Sequence, residues 1–480
     1  MFIGRKQELQ FLEEKYSKKD GQLIVLYGRR RVGKTETLKE FCKNKKHIFY
    51  FCKEVSDQMQ LRSFSEKLLK ENIPASKYIK EFTDWETAFK SILDIPYENN
   101  KKLIIIDEFP YMCKNNKSIP SILQKLWDEL FKNKNIMIIL CGSAMSFIEK
   151  EFLAEKNPFY GRATGIYKME PMDFYDAIQF FPNYSDTDKI LAYSILGGIP
   201  HYLAQFDCKN SLDFNIKNNI LKKGSLLYSE VEFLLKQELR EPQIYNSIIE
   251  AIALGNTKLN DISMKSLINE TSKTSVYLKN LIELGIVKRE FSVSDGIKER
   301  AKTNRGIYNL ADNFFRFWYF FIFANYSELE SGDADGIFKY IIKPKLFEFA
   351  AYTFEDICRE YIRKLQKKNM LPFRYNRIGR WWGKTTVRTG KETKIEATEI
   401  DLLAISEKSD KYLVGECKFK NKPFDYGSYL DTFIKLSTEK NNSEFYYYLF
   451  SKKGFDKKLI SEANNNKFLK LIDIKEILHP

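Results

Sequence analysis

Eight residues near the N-terminus have the types and spacing needed to bind the phosphates of a nucleotide. Gly28–Thr35 reads GRRRVGKT, which matches the pattern G-x-x-x-x-G-K-[ST]. In such a loop the glycines let successive backbone N–H groups turn towards the phosphates, and the start of the next helix adds to the attraction. Lys34 is expected to reach the β- and γ-phosphates, and the Thr35 hydroxyl is expected to hold Mg²⁺. The predicted nucleotide-contacting residues of this loop are Gly28, Arg29, Arg30, Arg31, Val32, Gly33, Lys34 and Thr35.

Two adjacent carboxylates end an apolar stretch further along the chain. Lys102–Glu108 reads KLIIIDE, the pattern of a buried strand that ends in Asp107 and Glu108. Asp107 would hold the magnesium ion through water, and Glu108 would orient and deprotonate the water that attacks the γ-phosphate. The apolar residues before the pair argue against a merely solvated acidic pair. The sequence therefore predicts a site that binds and hydrolyses ATP with Mg²⁺.

Two further polar residues are candidates for the same site. Ser143 follows the apolar run Ile136–Leu140, so its hydroxyl could touch the γ-phosphate or the attacking water, or it could instead cap a helix. Arg162 ends the segment PFYGR, which begins at Pro158. It is a candidate arginine finger, because a guanidinium can stabilise the charge on a phosphoryl group in transfer. A finger that acts on a neighbouring copy would require a homo-oligomer, whereas one that acts within the chain would not.

A second set of charged residues lies near the C-terminus. Asp401 lies on a predicted strand, Glu396–Ser406, and Glu416 and Lys418 lie on the next one, Tyr412–Phe419. Glu416 and Lys418 are two residues apart, so they share one face of their strand. The two carboxylates offer hard oxygen ligands to Mg²⁺ or Mn²⁺, which would activate a water molecule, and Lys418 could orient that water. Alternating charges are also common on exposed hairpins, so the order of the surrounding elements matters.

Those elements have a recognisable order. Glu355 lies midway along a predicted amphipathic helix, Lys345–Gln366, and would complete the metal shell. Strand-like segments, a helix, a strand and a further helix follow it. The spacing and the order α-β-β-β-α-β resemble the PD-(D/E)XK nucleases of the restriction-endonuclease-like fold, with Ile400 in place of the proline that names the motif. The resemblance implies a metal-dependent nuclease, or a scaffold that keeps the motif without activity.

The elements around the phosphate loop can also be predicted from hydrophobic spacing. Gly21–Tyr27 is an apolar run typical of a buried parallel strand, and the stretch after Thr35 has helical character. The loop therefore has the strand–loop–helix setting that the motif requires.

Residues 236–315 show the order of a winged helix. Helices are predicted over Ile244–Leu254, Leu259–Glu270 and Ser272–Leu284, and the strands VKREFSV and IYNL flank a turn rich in Lys and Arg. Ser272 is expected to cap the third helix. Many winged helices contact only proteins, but in DNA-binding examples the residues that would face the major groove are Lys273, Thr274, Tyr277 and Lys279.

The charge of the chain makes DNA a candidate partner. Lysine and arginine number 78 against 64 acidic residues among 480, a net charge of +14. A basic surface attracts phosphate backbones, although a lysine-rich proteome would make any chain basic. Arg377, Arg380 and Lys384, next to Trp381 and Trp382, could form a DNA-facing edge or could cover the core.

Other composition features argue against metal clusters and membranes. The seven cysteines are scattered without a CxxC pair, and the three histidines lie far apart, so zinc-site spacing is absent and a reducing cytosol fits. The most apolar run, Phe314–Ala324, is about half the length of a membrane span and contains Arg316, which indicates buried core. The N-terminus has no apolar signal core. We therefore expect a cytoplasmic protein without a membrane partner.

Two further motifs connect the N-terminal half to a known family. Phe2–Glu8, FIGRKQE, resembles the N-terminal hhGRE motif of the AAA+ and STAND branches of P-loop NTPases. Gly197–Pro200, GGIP, resembles their GxP motif, which implies that Pro200 lies near the nucleotide base and that the usual second-sensor arginine is replaced. With KLIIIDEFPYM and PFYGR, residues 1–235 resemble the archaeal-type ATPase family, which often carries a nuclease-like C-terminal domain.

The sequence thus predicts an α/β P-loop NTPase with a parallel sheet, followed by a helical lid, a winged helix and a C-terminal α/β restriction-endonuclease-like domain. The expected divisions are an ATPase core 1–165, a lid 166–235, a winged helix 236–315, a connecting segment 316–344 and a nuclease-like domain 345–480. The expected function couples ATP binding and hydrolysis to DNA binding and metal-dependent DNA cleavage. Two alternatives stay open: an ATP-driven switch that binds a protein partner, and a winged-helix DNA-binding regulator.

Overall fold

A computed structural model describes residues 2–96, 101–143, 145–149, 157, 159–268, 270–296, 300, 306–389, 392–437 and 443–480 of the chain. Pro158, most of the turn between the two wing strands and the side chain of Lys384 lie outside this description. The chain divides into two compact units. The first comprises Met1–Met172 with Ile199–His201, and the second comprises Asp173–Gly198 with Tyr202–Pro480.

The first unit is built on a parallel five-stranded sheet in the order β2-β3-β4-β1-β5. Its central strands are buried along almost their whole length, which explains why they are continuous apolar runs rather than alternating ones. The strands are β1 Gln22–Tyr27, β2 His47–Phe51, β3 Lys102–Asp107, β4 Ile136–Gly142 and β5 Gly165–Lys168.

Helices cover both faces of this sheet. They are α1 Lys6–Tyr16, α2 Lys34–Cys42, α3 Asp57–Leu69, α4 Trp85–Lys90, α5 Phe109–Asn115, α6 Ile119–Leu126, which continues through a π-helical turn Trp127–Phe131, and α7 Met145–Ile148. Val25 and Ile106 point into one core cluster with side chains of α3, α4 and α6. Ile24 and Ile105 point to the other face, where α1 and α2 pack. This three-layer arrangement places the ends of β1, β3 and β4 at one edge of the sheet, and it is the predicted α/β P-loop fold.

Short helices follow the sheet. They are α8 Phe174–Ala177, α9 Asp186–Leu196, α10 Pro200–Leu203, α11 Leu212–Ile216 and α12 Glu230–Glu238. Within the second unit, α9 packs against the long helix Lys343–Lys367 described below. The predicted boundary between a separate lid and the later segments stays a prediction.

The next segment has three helices and a two-stranded antiparallel sheet. They are α13 Pro242–Ala253, α14 Leu259–Lys265, α15 Thr271–Glu283, β6 Val287–Glu290 and β7 Ile307–Leu310. The order is the one expected, but α14 ends five residues early because Leu267 adopts a left-handed φ of 57°. The prediction that Ser272 caps α15 is wrong, since that helix begins at Thr271 after Glu270, without a side-chain cap.

The apolar run from Phe314 lies in the core, as predicted. Phe314, Phe317, Trp318 and Phe321 are almost fully buried. The helices of this part are α16 Asn313–Phe317, α17 Tyr326–Glu330 and α18 Ala334–Gly336. Among the residues that the structure describes, no helix is both long and apolar enough to cross a membrane.

The C-terminal part is a mixed five-stranded sheet in the order β12-β11-β10-β9-β8, with the long helix packed on β9 and β10. β8, β9 and β10 are antiparallel neighbours, whereas β10, β11 and β12 run parallel. The strands are β8 Tyr375–Thr389, β9 Glu392–Ser406, β10 Lys411–Lys418, β11 Glu444–Ser451 and β12 Leu469–Asp473, and the helices are α19 Lys343–Lys367, α20 Tyr426–Ser437, α21 Lys457–Asn465 and α22 Ile474–Leu478. Sequence reasoning missed β12 and α22.

Candidate functional site

The loop between β1 and α2 requires glycine at both of its ends. Gly33, immediately before α2, has a φ of 95°, which glycine adopts without steric cost. Gly28 lies against the backbone of Met169, where an added Cβ would be 2.4 Å from the carbonyl oxygen. The non-glycine Arg31 also takes a left-handed φ, of 68°. The backbone therefore has the tight turn that the predicted phosphate loop needs.

Lys34 is buried at the start of α2 and bonds to the loop itself. Its Nζ donates to the carbonyl oxygens of Gly28 at 2.8 Å and Arg29 at 3.0 Å. Burial lowers the pKa of Lys34, and the nearby carboxylates of Asp107 and Glu108 act in the opposite direction. The ammonium group is thus held inside the loop, in position for an anionic ligand.

Thr35 and Asp107 meet at the edge of the sheet. The Thr35 hydroxyl donates to Asp107 Oδ2 at 2.6 Å, and Asp107 is fully buried at the end of β3. A hydroxyl and a carboxylate side by side are the oxygen donors that Mg²⁺ accepts when it also binds phosphates and water. The two predicted metal residues therefore lie together and fit a magnesium ion.

Glu108 and Ser143 also lie together, from the ends of β3 and β4. The Ser143 hydroxyl donates to Glu108 Oε2 at 3.0 Å, and the Ser143 N–H does so at 3.3 Å. Glu108 has a left-handed φ of 53°, a costly conformation for a residue with a side chain that is characteristic of functional sites. Ser143 therefore fixes the carboxylate expected to act on water.

The remaining loop residues have individual contacts. Arg29 and Val32 are buried, and Arg30 donates to the Tyr111 hydroxyl at 3.3 Å. Pro200 lies against the loop, since a Cβ added at Gly33 would be 3.5 Å from its ring. The predicted place of Pro200 near the nucleotide base stays a prediction.

The guanidinium group of Arg162, the candidate arginine finger, is engaged in an ion pair. Its Nε donates to Asp128 at 2.8 Å, and Asp128 lies in the π-helical turn after α6. An ion pair of this kind would have to open before Arg162 could reach a phosphoryl group.

Sequence reasoning missed Arg5 as a residue that supports the loop. Its guanidinium is buried and donates to the Val32 carbonyl at 2.6 Å, the Glu170 carbonyl at 2.8 Å and the Glu8 carboxylate at 2.8 Å. Arg5 thus ties the start of α1 to the phosphate loop. The FIGRKQE motif contained the signal, because its arginine and glutamate are the two ends of this buried ion pair.

The C-terminal candidates converge where β9 and β10 end their pairing. The last paired residues are Leu402 and Gly415, so Asp401 and Glu416 come next. The Cys417 N–H donates to Asp401 Oδ2 at 2.9 Å, and Lys418 Nζ donates to Glu416 Oε1 at 3.0 Å. The sheet register therefore brings two carboxylates and one ammonium group to the same place.

Glu355 extends from α19 towards Asp401 and Glu416, but its carboxylate is paired with arginines. Its carboxylate forms a short ion pair with Arg380 and lies 3.8 Å from Arg359. Burial raises the pKa of Glu355, and burial together with the charge of Glu355 raises the pKa of Asp401 to about 6. The Asp401 and Glu355 carboxyl groups are therefore close enough to influence each other.

This set offers two carboxylates, those of Asp401 and Glu416, rather than a complete metal cage. Within the described ranges, no group of three or more His, Cys, Asp or Glu side chains is arranged to hold a metal ion. Mg²⁺ is often bound by one or two carboxylates with water and a substrate phosphate, so Asp401 and Glu416 fit such an ion. The contribution of Glu355 depends on its arginine partners.

One of the residues predicted to face the major groove of DNA is buried in the winged-helix segment. Thr274 is fully buried, and its hydroxyl lies 3.1 Å from that of Ser263, so it cannot face a groove of DNA. The Tyr277 hydroxyl donates to Glu241 at 2.9 Å. Lys273 and Lys279 are exposed on α15 and keep their ammonium groups at the surface.

Two protein-family models match the chain. A family described as an ATPase domain predominantly from Archaea matches residues 2–206. A family of archaeal and bacterial proteins of unknown function matches residues 318–432. The expected resemblance to archaeal-type ATPases is thus confirmed for the segment that contains the phosphate loop.

Three individual proteins are similar to the chain. The uncharacterized protein MJECL04 of Methanocaldococcus jannaschii is 35% identical over 424 residues, which cover 88% of each chain. The uncharacterized ATP-binding protein MJ0423 of the same organism is 59% identical over 46 residues, 10% of this chain and 78% of that one. The solved Walker-type ATPase PABY2304 of Pyrococcus abyssi is 21% identical, covers 66% of this chain and 95% of its own, and has a TM-score of 0.48. The chain therefore belongs to the same family as MJECL04, and its N-terminal part is a P-loop ATPase domain that binds and hydrolyses nucleotide.

Proposed function

We propose that this ATPase binds DNA and, with a metal ion, hydrolyses the DNA backbone at its C-terminal carboxylates, under the control of its nucleotide state. The observation that carries the proposal is the convergence of Asp401, Glu416 and Lys418 where the pairing of β9 with β10 ends. Two hard carboxylates beside an ammonium group suit the hydrolysis of a phosphodiester.

The ATP half of the proposal uses the residues at the edge of the first sheet. Lys34 would bind the β- and γ-phosphates, which would replace the Gly28 and Arg29 carbonyls as its partners. Thr35 and Asp107 would hold Mg²⁺, which neutralises phosphate charge when bound. Glu108, fixed by Ser143, would take a proton from the attacking water. Arg162 would add charge stabilisation after its ion pair with Asp128 opens.

The nuclease half uses the second unit. Asp401 and Glu416 would hold Mg²⁺ or Mn²⁺, which lowers the pKa of water and offsets charge on the scissile phosphate when bound. The water oxygen bonds to phosphorus, the bond from phosphorus to one sugar oxygen breaks, and the water proton passes to the leaving oxygen. Lys418, 3.0 Å from Glu416, would steady the extra negative charge on the phosphate.

DNA binding is supported by surface charge. The net charge of +14 attracts a polyanion, and Lys273 and Lys279 are exposed on α15. Lys273, Tyr277 and Lys279 are the predicted groove-facing residues that remain candidates for DNA contact.

The test is a cleavage assay with purified full-length protein. Supercoiled and linear DNA are incubated with Mg²⁺ or Mn²⁺, with and without ATP, using wild type and the near-isosteric Asp401→Asn and Glu416→Gln variants. We expect the wild type to cleave DNA and both variants to lose this activity. In Lys34→Ala, the rate of cleavage should no longer depend on ATP. Glu407→Gln, an exposed change in the turn between β9 and β10, is the matched control and should cut normally. Cleavage that persists in Asp401→Asn and Glu416→Gln would refute the assigned site.

A second function is favoured by the ion pairs of Glu355. Because Arg380 and Arg359 hold this carboxylate, the fold would serve equally as a protein-binding dock in an ATP-driven switch. That function predicts normal ATP hydrolysis and no strand cleavage with either metal.

A further inference from the structure

A cleft opens beside the C-terminal carboxylates. It has a volume of about 480 Å³, and its lining includes Lys418, Lys420, Lys422 and Phe424. Lys418 is shared with the candidate nuclease site, because its Nζ lies 3.0 Å from Glu416 and 5.8 Å from the centre of the Phe424 ring. A ligand in the cleft would therefore lie next to the carboxylates.

The loop that carries these lysines is anchored to the neighbouring loop after β11. The Lys452 N–H donates to the Lys418 carbonyl at 3.1 Å, and the Lys452 ammonium donates to Asn421 Oδ1 at 2.6 Å. Further along, the Phe424 N–H donates to the Gly454 carbonyl at 2.9 Å. These bonds hold the loop at several points, so less conformational entropy is lost when Lys420 and Lys422 bind a ligand.

Asp425 and Asp456 also line the cleft, and backbone N–H groups donate to both carboxylates. Asp425 accepts from the Ser428 N–H at 2.9 Å, and Asp456 accepts from the Tyr426 N–H at 2.7 Å, so both act as caps for α20. In the part of the chain that the structure describes, neither Lys420 nor Lys422 forms an ion pair, and both side chains are exposed. Three lysines and two aspartates line the cleft, and the exposed Lys420 and Lys422 are the groups that can bind an anionic ligand.

We infer that this cleft binds phosphates of the DNA strand that flank the scissile phosphate. The inference rests on the proposed function, since it is the shared Lys418 that makes the cleft a continuation of a phosphodiester site. Lys420 and Lys422 are binding residues in this assignment, and they take no part in the chemical step.

The experiment measures DNA binding by the full chain without a divalent metal, so that no cleavage occurs. Affinity for a short duplex is measured by fluorescence anisotropy over salt concentrations from about 50 to 200 mM, a range in which phosphate contacts dominate the change in affinity. The test variant is Lys420→Gln with Lys422→Gln. The control is Lys408→Gln with Lys467→Gln, an equal change of charge at exposed residues. Lys408 precedes β10 and Lys467 precedes the parallel β12, so both lie at the opposite end of the sheet from the cleft.

We expect the test variant to bind DNA roughly tenfold or more weakly, with a salt slope reduced by about two, and the control to bind like wild type. Equal binding by the test variant and wild type, or an equal loss in the control, would overturn the inference. An RNA duplex of the same sequence serves as a second probe, and a loss of affinity confined to RNA would also overturn it.

This experiment separates the inference from the proposed function. If the lysine variant loses DNA affinity while no metal supports cleavage, the cleft is a DNA site and the nuclease proposal fails. If cleavage depends on Asp401 but the lysine variant binds normally, the nuclease proposal stands and the cleft assignment fails. Calorimetric unfolding of each variant confirms that both compact units are folded.

Discussion

Lys34 makes its hydrogen bonds with the same loop that it is expected to serve. The Gly28 and Arg29 carbonyls are weak substitutes for phosphate, and the buried ammonium group gains most when an anion arrives. We expect Lys34→Ala to weaken ATP binding on the order of 100-fold, about 3 kcal/mol, as for the loss of a charged hydrogen-bond donor. Isothermal titration calorimetry measures the change.

The matched control for this variant is Lys39→Ala on the same helix. Lys39 is exposed and pairs with Glu36, so its loss should leave ATP affinity unchanged. ATP binding by Lys34→Ala at wild-type strength would show that the phosphates bind elsewhere.

Arg380 determines whether Glu355 can serve as a metal ligand. Its guanidinium forms the short ion pair with Glu355, and it is itself buried. We expect Arg380→Gln to increase the affinity of Mn²⁺ for the C-terminal site roughly tenfold, because a competing positive charge is removed from beside the carboxylates. The affinity is measured by electron paramagnetic resonance in a chain with Asp107→Asn, which removes the metal site of the ATPase.

Arg377→Gln is the control for Arg380. Arg377 lies on the same strand, but it contacts backbone carbonyls of residues 293 and 294 rather than Glu355. Unchanged or weaker Mn²⁺ binding in Arg380→Gln would mean that Arg380 supports the site instead of blocking it. That outcome would favour a structural role for Glu355.

Long apolar runs and motif spacing predicted most of the elements of the first unit. β1, β3 and β4 are buried on both faces, so their sequences are unmistakable, and the phosphate loop follows from its glycines. β12 was missed because only Leu469 and Ile472 of its five residues are buried, which leaves too little pattern. The end of α14 was missed because nothing in the sequence indicated a left-handed Leu267.

For the candidate sites, too, the sequence predicted local spacing but not contacts that depend on tertiary packing. The sequence placed Asp401, Glu416 and Lys418 on neighbouring strands, and the strand period together with the short connection between the strands was enough to bring them together. It could not predict the ion pair between Arg380 and Glu355, because a bond between residues 25 positions apart depends on how α19 lies on β8. The burial of Thr274 and the role of Arg5 likewise depend on tertiary packing.

Glu360 on α19 is expected to make stability depend on pH. Its carboxylate accepts from the Phe174 N–H at 2.9 Å, and burial, with Asp173 and Asp356 nearby and Arg363 opposing them, raises its pKa from 4.5 to about 7. The folded state then binds more protons than the unfolded state between these values, so the free energy of unfolding falls as pH rises towards and through 7. The expected loss is on the order of 2 kcal/mol.

Glu360→Gln tests this pH dependence, because the amide oxygen can still accept from Phe174 while carrying no charge. Urea unfolding is measured between about pH 5 and pH 8, a range around the pKa of Glu360. The pKa of Asp401 is also raised, to about 6, so its ionisation likewise lowers the free energy of unfolding as pH rises. The informative quantity is therefore the difference in the free energy of unfolding between the variant and wild type at each pH. Parallel curves for the two proteins would show that Glu360 titrates normally.

Each of the two compact units has a hydrophobic core of its own. The first unit buries apolar clusters on both faces of its sheet, and the second buries a separate cluster between its mixed sheet and the helices α20 and α21. A ligand that binds one folded unit stabilises that unit by mass action, about 4 kcal/mol at a thousand times its dissociation constant. Nucleotide should therefore raise the unfolding temperature of the first unit, which contains the phosphate loop.

Calorimetric heating of the full chain tests this expectation. Without nucleotide we expect two unfolding transitions, because each unit loses its own core. Mg²⁺ with a non-hydrolysable ATP analogue should raise the temperature of the transition that belongs to the first unit and leave the other in place. Lys34→Ala should remove the shift without removing the transition, which shows that the shift comes from the phosphate loop. A single transition whose temperature rises with nucleotide would mean that the two units unfold together. Nucleotide binding would then stabilise the unit that contains the C-terminal carboxylates as well.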